Sequence, residues 1–261
     1  MKLWKNLLGP WKWGMIFGAL LIAQMCFSQE EKAQYYHLKA PDGIEIRALY
    51  KGNQNQKRIL LLMFHQADSS LGEFSDLFSK FNQLGFNCLA VDLRSGKNTN
   101  GIDNQTHLNA LKANLSTSYL DAFQDMEAGL KWAKQQVGKG RIFIIGSSFS
   151  ASLSLRLAAE FPAFVDGLVL FSPGEYFFRL GKSAQYIQKF ASKIKVPTLI
   201  LSKKDEKRNW ANIFEAIPTE YRHSFLPKIH IGQHGAKSLW KIYPESREYW
   251  NALTIFLTKL K

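Results

Sequence analysis

Apolar positions along this 261-residue chain switch repeatedly between continuous runs and helical spacing. Residues 58–64 (RILLLMF), 85–92 (GFNCLAVD), 141–145 (RIFII), 165–171 and 196–202 are short and mostly apolar, the pattern of strands buried on both faces. Residues 225–231 read as the last strand. Residues 35–39 and 44–50 flank Pro41-Asp42-Gly43 and predict an antiparallel hairpin. Between the strands the period changes. Ser70-Leu71-Gly72-Glu73 reads as a capping box opening a helix through about Leu84. In residues 119–137, Leu120, Phe123, Met126, Ala128, Leu130 and Ala133 share one face of an amphipathic helix. From Phe149 onward Ala151, Leu155 and Ala158 recur at helical spacing, as do Leu153 and Leu157. Residues 209–217 and 243–260 supply further helices, and residues 175–195 a short excursion with a helix of its own.

Strands alternating with helices imply parallel pairing through right-handed crossovers. Eight strands are expected, mostly parallel, with the hairpin at one edge and helices on both faces. The fold class is α/β, and no linker divides residues 29–261 into two domains. Residues 97–117 are a polar, Asn-rich excursion at the surface, able to border a site. Asn104-Gln105-Thr106 and Asn114-Leu115-Ser116 match the glycosylation sequon there.

The N-terminus has a separate pattern. Lys2, Lys5 and Lys12 precede an apolar run over residues 13–27 interrupted only by Gln24, and small residues at Cys26 and Ser28 come before polar Gln29-Glu30-Glu31-Lys32. A run of that length suits a signal peptide and falls short of the ~20 residues that span a bilayer comfortably. Residues 1–28 are therefore expected to be a signal peptide cleaved after Ser28, with an uncleaved membrane anchor as the alternative. A lipoprotein modified at Cys26 fits less well, because Met25 stands where a very small residue is wanted. The mature chain would retain only Cys88, in an apolar run, so no internal disulfide is expected.

The formal charge is +13, and the three lysines of the leader account for part of it. The remaining lysines are scattered, without a nucleic-acid motif, so no nucleic-acid partner is expected and a solvated basic surface is the simplest reading. No metal site is implied, since there is no HExxH and no paired-cysteine motif. A glycine-rich phosphate loop and a dinucleotide fingerprint are also lacking, and no cofactor is expected.

The chemistry gathers around Gly146-Ser147-Ser148-Phe149-Ser150. A strand that ends in a tight turn and feeds directly into a helix holds one side chain exposed at the positive helix end, where a developing anion is favoured. This stretch resembles the nucleophile elbow of the α/β-hydrolases, with Ser148 as nucleophile and with Ser150 where the pattern expects glycine. A serine needs a base, and the base a third group to orient it. In that family the partners follow in the order Ser, Asp or Glu, His. Asp205 lies three residues beyond the 196–202 strand, and His234, between Gly232 and Gly235, lies beyond the last strand. Glu206 is the nearest rival of Asp205, and Asp92 a more distant one better suited to structural hydrogen bonding.

The run from His65 to Ser70, Pro173-Gly174 after a strand, and His234-Gly235 are similar to the small dienelactone-hydrolase-like α/β-hydrolases. Dienelactone hydrolases proper carry cysteine at the elbow, where this chain has Ser148. The resemblance implies an oxyanion hole built from the backbone N–H groups of Gln66 and Phe149, with His65 structural. Taken with the leader, the candidate triad predicts an exported serine hydrolase acting on carboxylic esters, small or polymer-borne, with pocket walls from residues 97–117 and 175–195. A membrane is a partner only if the leader stays uncleaved, and the oligomeric state is not written in the sequence. The rival reading, motivated by Ser150 and the basic flanks of Asp205, is a non-catalytic binding module on the same scaffold.

Overall fold

In the computed structural model, residues 32–52 and 58–261 are described. The proposed leader, residues 1–28, lies outside them. The chain begins with the hairpin β1 (Gln34–Lys39) and β2 (Glu45–Lys51), then β3 (Leu60–Phe64), α1 (Gly72–Ser75), α2 (Phe78–Gln83) and β4 (Asn87–Val91). A small ribbon, β5 (Asn98–Thr99) and β6 (Ile102–Asp103), leads to α3 (Gln105–Lys112) and α4 (Ala122–Val137). Next come β7 (Ile142–Ser147), α5 (Phe149–Glu160), β8 (Gly167–Phe171), α6 (Gln188–Ala191), β9 (Thr198–Leu201), α7 (Lys207–Ala216), β10 (Arg222–Phe225) and α8 (Ser246–Lys259).

The main sheet has eight strands in the order β1-β2-β4-β3-β7-β8-β9-β10. The β1–β2 and β2–β4 pairs are antiparallel and all others parallel, so the hairpin forms one edge as its turn residues predict. In chain order the elbow follows the fifth strand of this sheet, and the position of Ser148 in the architecture is the expected one.

Strand periodicity sorts the core into two layers. Leu60, Leu62 and Phe64 of β3, Ile142 and Ile144 of β7, and Leu168 and Leu170 of β8 pack with α4, α5 and α7 on one face. Leu61 and Met63, Phe143 and Ile145, and Val169 and Phe171 pack with α1, α2 and α8 on the other. Burial on both faces is why these strands read as unbroken apolar runs. Cys88 is buried in the second layer, and burial pushes its thiol well up.

Three local expectations change. The capping box does not form: α1 is a single short turn separated from α2, and its N-cap, Leu71, makes no side-chain cap. Ser70 Oγ donates instead to Ile102 O at 2.8 Å, and Glu73 turns inward, to partners described below. The last strand comes earlier than residues 225–231, at Arg222–Phe225, beside β9. Beyond it Ile229 and Ile231 are 78% and 63% exposed, and His230 is exposed outside any strand. An isoleucine alternation predicts a strand only where one side of it is covered. Finally, Asn104 of the first sequon is buried and caps α3, accepting from His107 N at 2.8 Å. Asp92 has the structural role expected of it, accepting from Leu71 N at 2.8 Å and from Arg47 Nε at 2.9 Å.

Candidate active site

β7 ends in the elbow. Ser148 has φ 60° and ψ −122°, a backbone conformation rare for a residue with a side chain and held by the fold around it. Its N–H donates to Phe171 O at 2.8 Å, fixing it to β8. Gly146 is required on steric grounds, since a Cβ there would lie 2.5 Å from Ala151 Cα. Ser150 is accommodated by hydrogen bonds. Its buried hydroxyl accepts from Ser147 N at 2.9 Å and lies 2.7 Å from Phe64 O, tying the elbow to the end of β3.

His234 Nε2 lies 2.8 Å from Ser148 Oγ. Its Nδ1 lies 2.5 Å from Glu206 Oε1. The group behind the imidazole is thus Glu206, and the expectation for Asp205 is corrected. Residues 204–206 form a 3₁₀ turn after β9. In such a turn successive side chains point about 120° apart, so adjacent acids cannot both face the sheet. Glu206 is the buried one, and Asp205, 61% exposed, pairs with Lys203 Nζ at 3.3 Å. Burial alone would raise the Glu206 carboxyl, but hydrogen bonds from His234, Ser172 and Ser202 prevail and hold it below the usual carboxylate range. Ser202 Oγ donates to Glu206 Oε2 at 3.0 Å, which leaves Oε1 to the imidazole.

The two amides expected to face an oxyanion differ in their settings. Phe149 opens α5, where an N–H has no intrahelical acceptor, and is placed as expected. Gln66 is not available: its N–H donates to Glu73 Oε2 at 2.8 Å. The next amide, Ala67 N–H, meets no acceptor among the described residues. His65 explains its direction. The buried ring accepts Leu93 N–H at Nε2, 2.8 Å, which puts its proton on Nδ1, 2.7 Å from Gln66 O. Burial lowers the His65 pKa, in keeping with that neutral tautomer. With the Gln66 carbonyl drawn toward His65, the trans peptide turns the Ala67 N–H the opposite way. His65 is structural, as expected.

Two aromatic residues that carry no sequence signal stand at the site. The Tyr176 phenol neighbours the Ser148 hydroxyl and donates to Ser172 O at 2.7 Å. Burial pushes that phenol up. Tyr119 stacks on Phe149 with ring centroids 4.5 Å apart. Tyr176 comes from the 175–195 excursion and Tyr119 from just beyond the 97–117 one.

The fold and this arrangement define a class, and comparison with known proteins agrees. A family model described as alpha/beta hydrolase fold matches residues 59–207. This chain belongs to the alpha/beta hydrolase fold family. No curated protein matches it in sequence. Among solved structures, it is similar to the Pyrococcus furiosus esterase Pf2001, with 16% identity, 88% of this chain and 93% of that one covered, and a TM-score of 0.67. It is similar also to a dienelactone hydrolase from Anabaena variabilis, with 13% identity, 88% and 98% covered, and a TM-score of 0.66. Est1E from Butyrivibrio proteoclasticus aligns with 14% identity, 87% and 98% covered, and a TM-score of 0.63.

Proposed function

We propose that this chain is an exported serine hydrolase that cleaves carboxylic esters through an acyl-enzyme on Ser148. The observation that carries the reading is the continuous relay from Ser148 Oγ through His234 to Glu206, with contacts of 2.8 Å and 2.5 Å, on a residue held at φ 60°. Esterases and a dienelactone hydrolase among the similar structures support hydrolysis as the class of reaction. Ser148 Oγ attacks the acyl carbonyl as His234 Nε2 takes its proton. Glu206 keeps the Nδ1 proton in place and stabilises the imidazolium. The Phe149 and Ala67 amides receive the negative charge of the tetrahedral intermediate. His234 then returns the proton to the leaving alcohol, and water repeats the sequence in reverse to free the acid.

Tyr176 beside Ser148, with Tyr119 stacked on Phe149, suits a small acyl group, whether free or borne on a polymer. Export is proposed from residues 1–28, whose basic start and short apolar run suit a cleaved signal. With Ser150 bonded into the elbow and Asp205 outside the relay, neither observation favours the binding-module reading any longer.

Reaction of the mature protein with a fluorophosphonate, followed by intact mass, tests the proposal. One adduct is expected, and none in Ser148→Ala. A folded protein that forms no adduct refutes the acyl-enzyme. N-terminal sequencing of the exported chain is expected to begin at Gln29, and an intact leader would refute cleavage.

A further inference from the structure

Glu73 is a buried carboxylate that the reaction above does not use. It is 1% exposed, and no lysine, arginine or histidine pairs with it among the described residues. Burial pushes its carboxyl up, opposed by hydrogen bonds from Gln66 and Ser147 and by the more distant charge of Lys237. A lone acid in such a place is costly to fold around. Its contacts explain what it does there.

The two carboxylate oxygens face two donors from different segments. Oε2 accepts the Gln66 N–H at 2.8 Å, from the loop after β3. Oε1 accepts the Ser147 hydroxyl at 2.7 Å, from the residue before the nucleophile. With its proton committed to Glu73, Ser147 Oγ accepts Ala236 N–H at 2.9 Å, two residues beyond His234. The backbone carbonyl of Glu73 accepts Trp240 Nε1–H at 3.0 Å, anchoring the far end of the same segment. Space around the junction is small: a Cβ on Gly235 would lie 2.5 Å from Gln66 Oε1 and 2.6 Å from Ser147 Oγ.

We propose that Glu73 is a positioning residue that locks the oxyanion loop, the nucleophile strand and the histidine loop into one register. The proposal rests on the serine-hydrolase reading of the site. Gln66 is held at both ends, its N–H by Glu73 and its carbonyl by His65, so the Ala67 N–H has one direction left. Glu73 is suited to the task because each of its two oxygens accepts, one from the Gln66 amide and one from the Ser147 hydroxyl. A glutamine of the same shape offers one acceptor and one donor. It can keep the Gln66 bond, but its NH₂ then faces Ser147, whose hydroxyl must turn its proton away from position 73, so the donation that ties the nucleophile strand to Oε1 is lost. The sequence hides this role behind the apparent capping box at Ser70-Leu71-Gly72-Glu73, since the glutamate leaves the helix start for the site.

The test is the kinetics of fluorophosphonate labelling, split into maximal rate and half-saturating concentration, for the wild type, Glu73→Gln, Ser147→Ala and the double variant. The phosphonyl oxygen of the adduct occupies the oxyanion position, so the maximal rate reads the geometry that Glu73 sets. A misplacement of about 1 Å at a reacting group costs on the order of 10²-fold. Glu73→Gln is expected to lose about that in maximal rate with the half-saturating concentration unchanged and the thermal midpoint maintained, because the side chain keeps its shape and its bond to Gln66. Ser147→Ala breaks the same chain of bonds from its other end, so it carries the test if Glu73→Gln does not fold. The double variant is expected to be no slower than the slower single one, as for residues acting through one interaction. Wild-type rates in the folded single variants, a loss confined to the half-saturating concentration, or additive losses in the double variant would each overturn the proposal. A wild type that is not labelled at Ser148 would instead remove the serine-hydrolase reading, and the positioning role with it.

Discussion

Replacing Glu206 by glutamine tests the assignment of the orienting acid most directly. The His234 Nδ1 contact to Glu206 is 2.5 Å long, and the Glu206 side chain is only 11% exposed, so solvent cannot replace the lost charge. A hydrogen bond to an ionised partner is worth about 1.5–3 kcal/mol, or roughly 10–150-fold in rate if it is fully lost from the transition state. The amide adds a second penalty. Its NH₂ turned toward Nδ1 would favour the tautomer with the proton on Nε2, and that nitrogen could not accept the Ser148 proton. Together these effects are expected to lower the maximal rate on the order of 10³–10⁴-fold. Asp205→Asn serves as the matched control. Its carboxylate is 61% exposed and, among the described residues, bonded only to Lys203, so the rate should stay within about two-fold of wild type. Hydrolysis of a 4-nitrophenyl ester, with Ser148→Ala as baseline, reads all three variants. A loss in Asp205→Asn comparable to that in Glu206→Gln, or a Glu206→Gln enzyme within about ten-fold of wild type, would refute the reasoning.

Acidification gives a related result. Hydrogen bonds hold the folded Glu206 carboxyl below its ordinary value of 4.5, so its contribution to stability is present above that pH and is lost as pH falls through the lower folded value. The gap in thermal midpoint between wild type and Glu206→Gln should therefore narrow below pH 4.5, and a gap unchanged from neutral pH to well below that point would contradict the shift. Ser150→Ala leaves the Ser147 N–H and Phe64 O without their buried partner, and denaturant unfolding should show a loss of about 1–3 kcal/mol. Gly235→Ala places a Cβ against Ser147 Oγ and Gln66 Oε1 at a φ of +75°, so it should slow ester hydrolysis by about ten-fold or more, and an unimpaired enzyme would show that the histidine loop has slack.

Local pattern carried much of this protein. Runs such as RILLLMF and RIFII are unbroken because their strands lie between two helical layers, and burial on both faces can be read from a single segment. The glycine at 146, the serine at 148 and the helical spacing from Phe149 likewise belong to one short stretch, so the elbow was legible, and the order of strand ends brought His234 with it. The choice between Asp205 and Glu206 was not. The two are neighbours in sequence, and only the 3₁₀ turn after β9 decides which faces the imidazole. The Gln66 N–H, expected to be free for an oxyanion, is taken by Glu73, seven residues along the chain, and Glu73 was drawn out of its helix cap by Ser147, 74 residues away. The residues 225–231 looked like a strand because alternation records composition, whereas a strand also needs a neighbour to cover it. Periodicity reports how a segment meets its surroundings on average. A buried polar group pairs with whichever donor or acceptor the assembled sheet brings within about 3 Å, and that partner is fixed only when distant parts of the chain meet.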